Sequence, residues 1–190
     1  MIAAGEGRRL RPLTERWPKP VLPIDGKPVI ATLLRELAAS DVAPVTVVVG
    51  HLGDQIRRLL SGLDVRFAEQ PEPLGSADAV RPAVEAGAHA PFLVTAADTA
   101  YAPGDLRRFV ETWERSGAAG ALAPPLWGIG PELLPYLDDL PGPPFQLKGA
   151  FERAEEAGLS LASIELGPTR ALTEPADLVR HNFVYLEQSG

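Results

Sequence analysis

Val45-Thr46-Val47-Val48-Val49 is followed by Gly50, His51, Leu52 and Gly53, and then by Asp54, Ile56, Leu59 and Leu60. The first five residues are all β-branched, the pattern of a buried strand. The residues after Asp54 have helical spacing, with Asp54 a plausible N-cap. A buried strand running straight into an amphipathic helix is half of a βαβ unit, and the rest of the chain repeats the theme. Phe92-Leu93-Val94-Thr95 is a second strand, Val65-Arg66-Phe67-Ala68 a shorter third, and Ile2-Ala3-Ala4 the tail of another. Ile30, Leu33, Leu34 and Leu37 mark a helix at i, i+3, i+4, i+7, as do Leu106, Phe109, Val110 and Trp113 after Gly104-Asp105. Ser76 suits the cap of a helix through Val80, Val84 and Ala88. Leu147, Phe151 and Ala154 mark another helix, and Thr173-Glu174-Pro175 a further start. Alternating strands and helices predict an α/β fold: a single Rossmann-like domain over 1–190, with a mainly parallel sheet flanked by helices.

Composition narrows the function. The chain has 190 residues, a net charge of −7 and no cysteine. Thiolate metal sites, disulfides and cysteine nucleophiles are therefore excluded. The acidic balance argues against nucleic acid or an anionic membrane as partner. No apolar run reaches the length of a membrane span, and a cytoplasmic location is expected. His51, His89 and His181 lack metal-ligand spacing, and no nucleophile-elbow motif occurs.

Residues 5–28 depart from this regular pattern. They form a long stretch without strand or helix period, as functional loops do. Arg8, Arg9, Arg11, Arg16, Lys19 and Lys27 place six cations there, in an otherwise acidic chain. Lys19 and Lys27 are two of only three lysines. A compact ammonium acts on phosphate as a point charge, where arginine offers a planar fork. Gly5-Glu6-Gly7 follows a strand end, where backbone N–H groups can close on an anion. The dinucleotide fingerprint fails at Leu10, and the Walker A pattern is absent. Trp17 reads as a packing residue, and Asp25 and Lys27 as turn and surface residues.

Ala3-Ala4-Gly5-Glu6-Gly7-Arg8-Arg9-Leu10-Arg11-Pro12-Leu13-Thr14, then Pro18-Lys19-Pro20 and Gly26-Lys27-Pro28, closely resembles the signature of the sugar-phosphate nucleotidylyltransferases. The resemblance continues in order through Glu69-Gln70, Pro73-Leu74-Gly75-Ser76-Ala77, Asp98, Leu126-Trp127-Gly128-Ile129 and Thr173-Glu174-Pro175-Ala176-Asp177-Leu178. It implies a GT-A-like fold. It also implies an enzyme that transfers a nucleotidyl group from an NTP to a sugar 1-phosphate and releases pyrophosphate, in nucleotide sugar biosynthesis.

Residue by residue, the resemblance implies that Ala4, Gly5 and Gly7 cradle the triphosphate. Arg9 stabilises the departing pyrophosphate, and Lys19 reaches the reacting phosphates. Gln70 and Gly75 sit at the base-reading positions, and Asp98 holds catalytic Mg²⁺. The chain departs from the family at four places, the first being that family members usually have several more apolar residues before Ala3. Ala97 stands where glycine is usual. Ala171 stands where a second metal-binding aspartate is expected, and an alanine methyl cannot ligate a metal. Ala118–Ala123 passes directly into Pro124-Pro125, without the loop that contacts sugar. Two alternatives follow: a cytidylyltransferase for phosphocholine or another small phosphate, and a catalytically weakened nucleotide-binding regulatory subunit. Base, sugar and oligomeric state are not legible.

Overall fold

The structure, a computed structural model, describes residues 1–138 and 140–183. β1 (Ile2–Ala3) leads into the long loop, which makes three short 3-10 turns and a small hairpin of β2 (Pro23–Ile24) and β3 (Lys27–Pro28). Then come α1 (Val29–Ala39), β4 (Val45–Val49), α2 (Gly53–Leu59), β5 (Val65–Glu69) and α3 (Val80–Glu85). The second half holds β6 (Phe92–Thr95), β7 (Thr99–Ala100), α4 (Asp105–Ser116), β8 (Gly120–Ala123) and β9 (Leu126–Ile129). It ends with α5 (Leu147–Glu156), β10 (Leu161–Ser163), β11 (Arg170–Ala171) and α6 (Pro175–Arg180).

β4 pairs in parallel with both β1 and β5, in register Ile2 to Val48 and Val45 to Val65. A second sheet has the order β10-β8-β9-β6. A parallel bridge between Ile2 and Ala96 joins the two. The joined sheet is mainly parallel, as expected; β9 runs against both β6 and β8.

Helices cover both faces. On one, Ile30, Leu33 and Leu37 of α1 and Leu106, Phe109 and Trp113 of α4 bury against Val47 and Val49. On the other, Val80 of α3 and Leu147, Ala150, Phe151 and Ala154 of α5 pack on Val94 and Ile129. Each such aliphatic or aromatic side chain taken from water stabilises by roughly 1.5–3 kcal/mol. The Trp127 and Phe151 rings meet at 5.0 Å between centroids.

Several local expectations are corrected. Asp54 lies in the first turn of α2 and does not cap it; Leu52, in left-handed backbone at φ 53°, precedes the helix. Leu59 is 42% exposed, so that helix buries only Ile56, with Leu60 buried just past its end. α3 starts at Val80, four residues after Ser76, and Val84 is exposed. The Ser76 hydroxyl instead accepts the N–H of Leu147 at 3.0 Å and so caps α5. Trp17 is nearly half exposed and is not a packing residue.

Candidate active site

The C-terminal ends of β1, β4, β5 and β6 bring the sequence-predicted residues to one edge of the sheet, the usual ligand edge of open α/β folds. Ala4 is buried there, and its carbonyl accepts the His51 N–H at 3.3 Å. Gly50 packs so closely that a Cβ would lie 2.9 Å from both the Ala4 and the Gln70 carbonyls.

The loop after Ala4 is built around Gly7, whose φ of 63° favours glycine. The Gly7 carbonyl accepts the Leu10 N–H at 2.8 Å and the Thr14 hydroxyl at 2.9 Å. Leu10, which breaks the dinucleotide fingerprint, is the anchor of this loop. It is 1% exposed and packs with Leu22, Ile24, Val29, Ala100 and Leu172. The start of α2 holds the other side. His51 Nε2 donates to the Thr14 carbonyl at 2.7 Å, and the Gln55 amide to the Arg16 carbonyl at 2.8 Å. His51 is thus structural.

The curled loop encloses a cavity of about 330 Å³ whose walls include Gly5, Gly7, Arg9, Lys19, Asp98 and Thr173. A Cβ on Gly5 would meet nothing within 4 Å, so its backbone faces open space. Arg9 is exposed at the rim, with no side-chain partner among the described residues. Lys19 is ion-paired with Asp98, and both side chains are less than a fifth exposed. Arg8 also lines the cavity, but Glu6 engages it at 2.8 Å and Arg11 at 3.4 Å. The hydrogen bond from Arg8 is the main reason the Glu6 carboxyl titrates below its ordinary range. Of the loop cations, Arg11, Arg16 and Lys27 stand outside this cavity. Asp25, at φ 51° in the hairpin turn, is held by Arg170 at 2.6 and 2.8 Å, which lowers its pKa.

Among the described residues, Asp98 is the only carboxylate lining the cavity. The departure at Ala171 falls on the strand paired with the residue after Asp98. β11 pairs with β7 so that Ala171 opposes Thr99, and the Leu172 N–H points to the Asp98 carbonyl at 3.4 Å. Among the described residues, no group of three or more His, Asp or Glu side chains could hold a metal. Mg²⁺ is satisfied by one or two carboxylates when phosphate oxygens and water complete its shell. The single carboxylate at Asp98 is compatible with that mode. Thr173 is a cavity residue that sequence reading took only for a helix start; nothing in its local pattern marks it as more.

Gln70 and Gly75 lie together on the same edge but outside this cavity. Gln70 is 5% exposed, and its amide donates to the Gly75 carbonyl at 3.2 Å and to the Asp78 carboxylate at 2.7 Å. Gly75, at φ 130°, is pressed against the Phe145 backbone, where a Cβ would sit 2.1 Å from the carbonyl oxygen. Asp177 belongs to a capping box with Glu174 at the start of α6.

The glycine loop on a strand end and the ion-paired Lys19 and Asp98 thus line one cavity. The chain belongs to the MobA-like NTP transferase domain family, whose model matches residues 1–142. The bifunctional protein GlmU of Ralstonia pickettii is 36% identical over 85 residues, covering 45% of this chain and 18% of the relative. The CMP-5′-(3-aminopropyl)phosphonate synthase of Streptomyces rubellomurinus is 33% identical over 127 residues, covering 64% of this chain and 20% of the relative. The matches span about a fifth of the length of these curated relatives. In fold, the chain is similar to a candidate glucose-1-phosphate thymidylyltransferase from Bacillus anthracis. The TM-score is 0.82 at 17% identity, over 97% of this chain and 93% of that one. Among the described residues, no helix is long and apolar enough to cross a membrane.

Proposed function

We propose that this domain transfers a nucleotidyl group from an NTP to a sugar 1-phosphate and releases pyrophosphate. The observation that carries the reading is the convergence of the Gly5–Gly7 loop, Arg9, Lys19 and Asp98 on one cavity. In-line attack of a phosphate oxygen on the α-phosphorus brings two anions together, so the protein must align them and neutralise charge. The open backbone at Gly5, in the loop that Gly7 turns, receives the triphosphate. Lys19 offers its ammonium to the reacting phosphates, and Arg9 supports the leaving pyrophosphate from the rim. Asp98 would hold Mg²⁺, which when bound supplies charge neutralisation across phosphate oxygens. Gln70 keeps the Gly75 loop in place on the side where the base would lie.

A second acceptor class is favoured by one feature. β8 and β9 are joined by Pro124 and Pro125 alone, so no loop extends from this hairpin toward a sugar. A smaller phosphate or phosphonate acceptor suits that short hairpin better, and one relative is named a CMP-5′-(3-aminopropyl)phosphonate synthase. A weakened nucleotide-binding protein is the reading that Ala171 favours. Pyrophosphate release, assayed with each NTP against sugar 1-phosphates, phosphocholine and an aminoalkylphosphonate, separates the three. Turnover with a sugar 1-phosphate supports the main reading, turnover only with a small acceptor the second, and nucleotide binding without turnover the third.

A further inference from the structure

Gln70 directly follows β5, and its N–H donates to the Val49 carbonyl at 2.8 Å, which fixes it to the end of β4. Its own carbonyl lies against Gly50, as the Ala4 carbonyl does, so it stands next to the strand end from which the glycine loop starts. Gln70 is 5% exposed, and both donors of its amide are spent inside the protein. The amide nitrogen donates to the Gly75 carbonyl at 3.2 Å and to Asp78 Oδ2 at 2.7 Å. A glutamine amide has donors on one side and an acceptor on the other. Turning this one over would set its oxygen against two acceptors, where burial makes unmatched polar groups costly. The partners therefore impose one orientation on it.

The two acceptors are themselves held in place. The Gly75 carbonyl also accepts the Ala79 N–H at 3.1 Å. The segment around it is tied to the chain ahead of α5. The Phe145 N–H donates to the Leu74 carbonyl at 2.7 Å, and the Ala77 N–H to the Phe145 carbonyl at 3.0 Å. What Gln70 has left to offer is Oε1. It has no partner among the described residues and is not one of their buried unpaired atoms, so it reaches open space. Asp78 is half-buried, and its Oδ1 is free in the same way. Gln70 and Asp78 thus present acceptors only, an amide oxygen and a carboxylate. Cytosine, adenine and guanine carry an exocyclic amino group that can donate to such acceptors; uracil and thymine carry carbonyl oxygens instead. The one ring N–H of uracil or thymine is flanked by carbonyls on both sides, so bringing it to Oε1 also brings a carbonyl oxygen toward the carboxylate.

We propose that Asp78 determines base specificity: by locking the Gln70 amide, it selects nucleotides whose base carries an exocyclic amino group over those of uracil and thymine. This rests on the reading of the domain as an NTP-binding enzyme with the base on the Gln70 side. Asp78 acts through Gln70 and is a positioning residue. The test is calorimetric binding of CTP, ATP, GTP, UTP and TTP with Mg²⁺, and of inorganic tripolyphosphate, to the parent and to Asp78→Asn. Tripolyphosphate has no base and reads the phosphate cavity alone. The parent should bind at least one of CTP, ATP and GTP about tenfold or more tightly than UTP and TTP, as a site built for a donor rejects analogues that lack it. Asp78→Asn keeps the shape and lets residue 78 donate in turn, so the Gln70 amide is free to turn over. UTP should then come within about threefold of the amino-base nucleotides, with tripolyphosphate binding unchanged. A merely structural role for Asp78 would weaken every nucleotide alike, and that result overturns the proposal. So does a parent that binds UTP or TTP as tightly as the other three, or a preference that Asp78→Asn leaves unchanged; in each of these cases the bound NTP leaves the nucleotide site itself standing. If Asp78→Asn does not fold, the preference of the parent decides. Binding of no NTP at all overturns the reading of the site, and this inference with it.

Discussion

Lys19 and Asp98 are ion-paired at the base of the glycine-loop cavity, one from a 3-10 turn and the other from the strand end after β6. Each therefore occupies the other in the absence of nucleotide, and binding must exchange that pair for phosphate on Lys19 and metal on Asp98. The two halves of the pair then respond differently to mutation. Lys19→Ala should weaken NTP binding and cut turnover by about 10²–10³-fold, the cost of one preorganised charge at the reacting group. Asp98→Asn should cut turnover comparably while leaving metal-free NTP binding equal or tighter, because a carboxylate no longer competes for Lys19. Calorimetry without metal, set beside pyrophosphate release with Mg²⁺, checks both. Weaker metal-free binding in Asp98→Asn would contradict the exchange.

The two loop glycines separate ligand effects from folding effects. A methyl on Gly5 meets no protein atom within 4 Å. Gly5→Ala should leave Tm within about 1 °C of the parent, as a surface change without lost contacts does, and raise the KM for NTP. A methyl on Gly7 would sit 2.8 Å from the Thr14 Cγ2, at a φ of 63°. Gly7→Ala should destabilise by about 1–2 kcal/mol and weaken NTP binding as well. Thermal melts and NTP titrations of the two variants make the comparison. Equal stability loss in both would show that Gly5 is also a folding position.

Ala171 opposes Thr99, the residue after Asp98, so Ala171→Asp tests whether a second carboxylate reaches the metal position. Ala171→Asp puts like charges side by side, which lowers stability without metal. Mg²⁺ should then raise Tm more in the variant than in the parent. The Mg²⁺ concentration for half-maximal nucleotide binding should fall about tenfold, equivalent to about 1.4 kcal/mol. An unchanged Mg²⁺ response would show that β11 does not face the metal.

Asp177 carries a pH signature. Its carboxylate accepts the Glu174 N–H at 3.0 Å and the Thr173 N–H at 2.8 Å, and these bonds hold its pKa below the ordinary 3.8. A depressed folded-state pKa contributes stability that is fully present above 3.8 and lost as pH falls through the lower folded value. Asp177→Ala should cost about 1 kcal/mol at pH 7, with the gap from the parent closing below pH 3.8. Denaturant melts from pH 7 to pH 2.5 follow it. A gap that stays constant across that range would mean the charge is not involved.

Much of this was legible because it rests on periodicity. The buried faces of α1 and α5 fall where Ile30, Leu33, Leu34, Leu37, Leu147, Phe151 and Ala154 are spaced. The loop stood out as cations without period. What escaped depends on partners distant in sequence. Ser76 looks like a local cap, yet it caps a helix 71 residues away. Leu10 looks like a lost glycine, yet it is the buried anchor of the loop. Arg8 and Arg11 add to a count of cations, but Glu6 is what they bind. Thr173 becomes a cavity residue only because β11 pairs with β7 beside Asp98.

Pyrophosphate release with Mg²⁺, measured across the common NTPs and a panel of sugar 1-phosphates and small phosphate acceptors, tests the central claim most directly. One NTP and acceptor pair should turn over, and Lys19→Ala should lose that turnover by about 10²-fold or more. Absence of turnover with every pair, or turnover that survives Lys19→Ala undiminished, would contradict the assignment of the Lys19–Asp98 cavity as a site of nucleotidyl transfer.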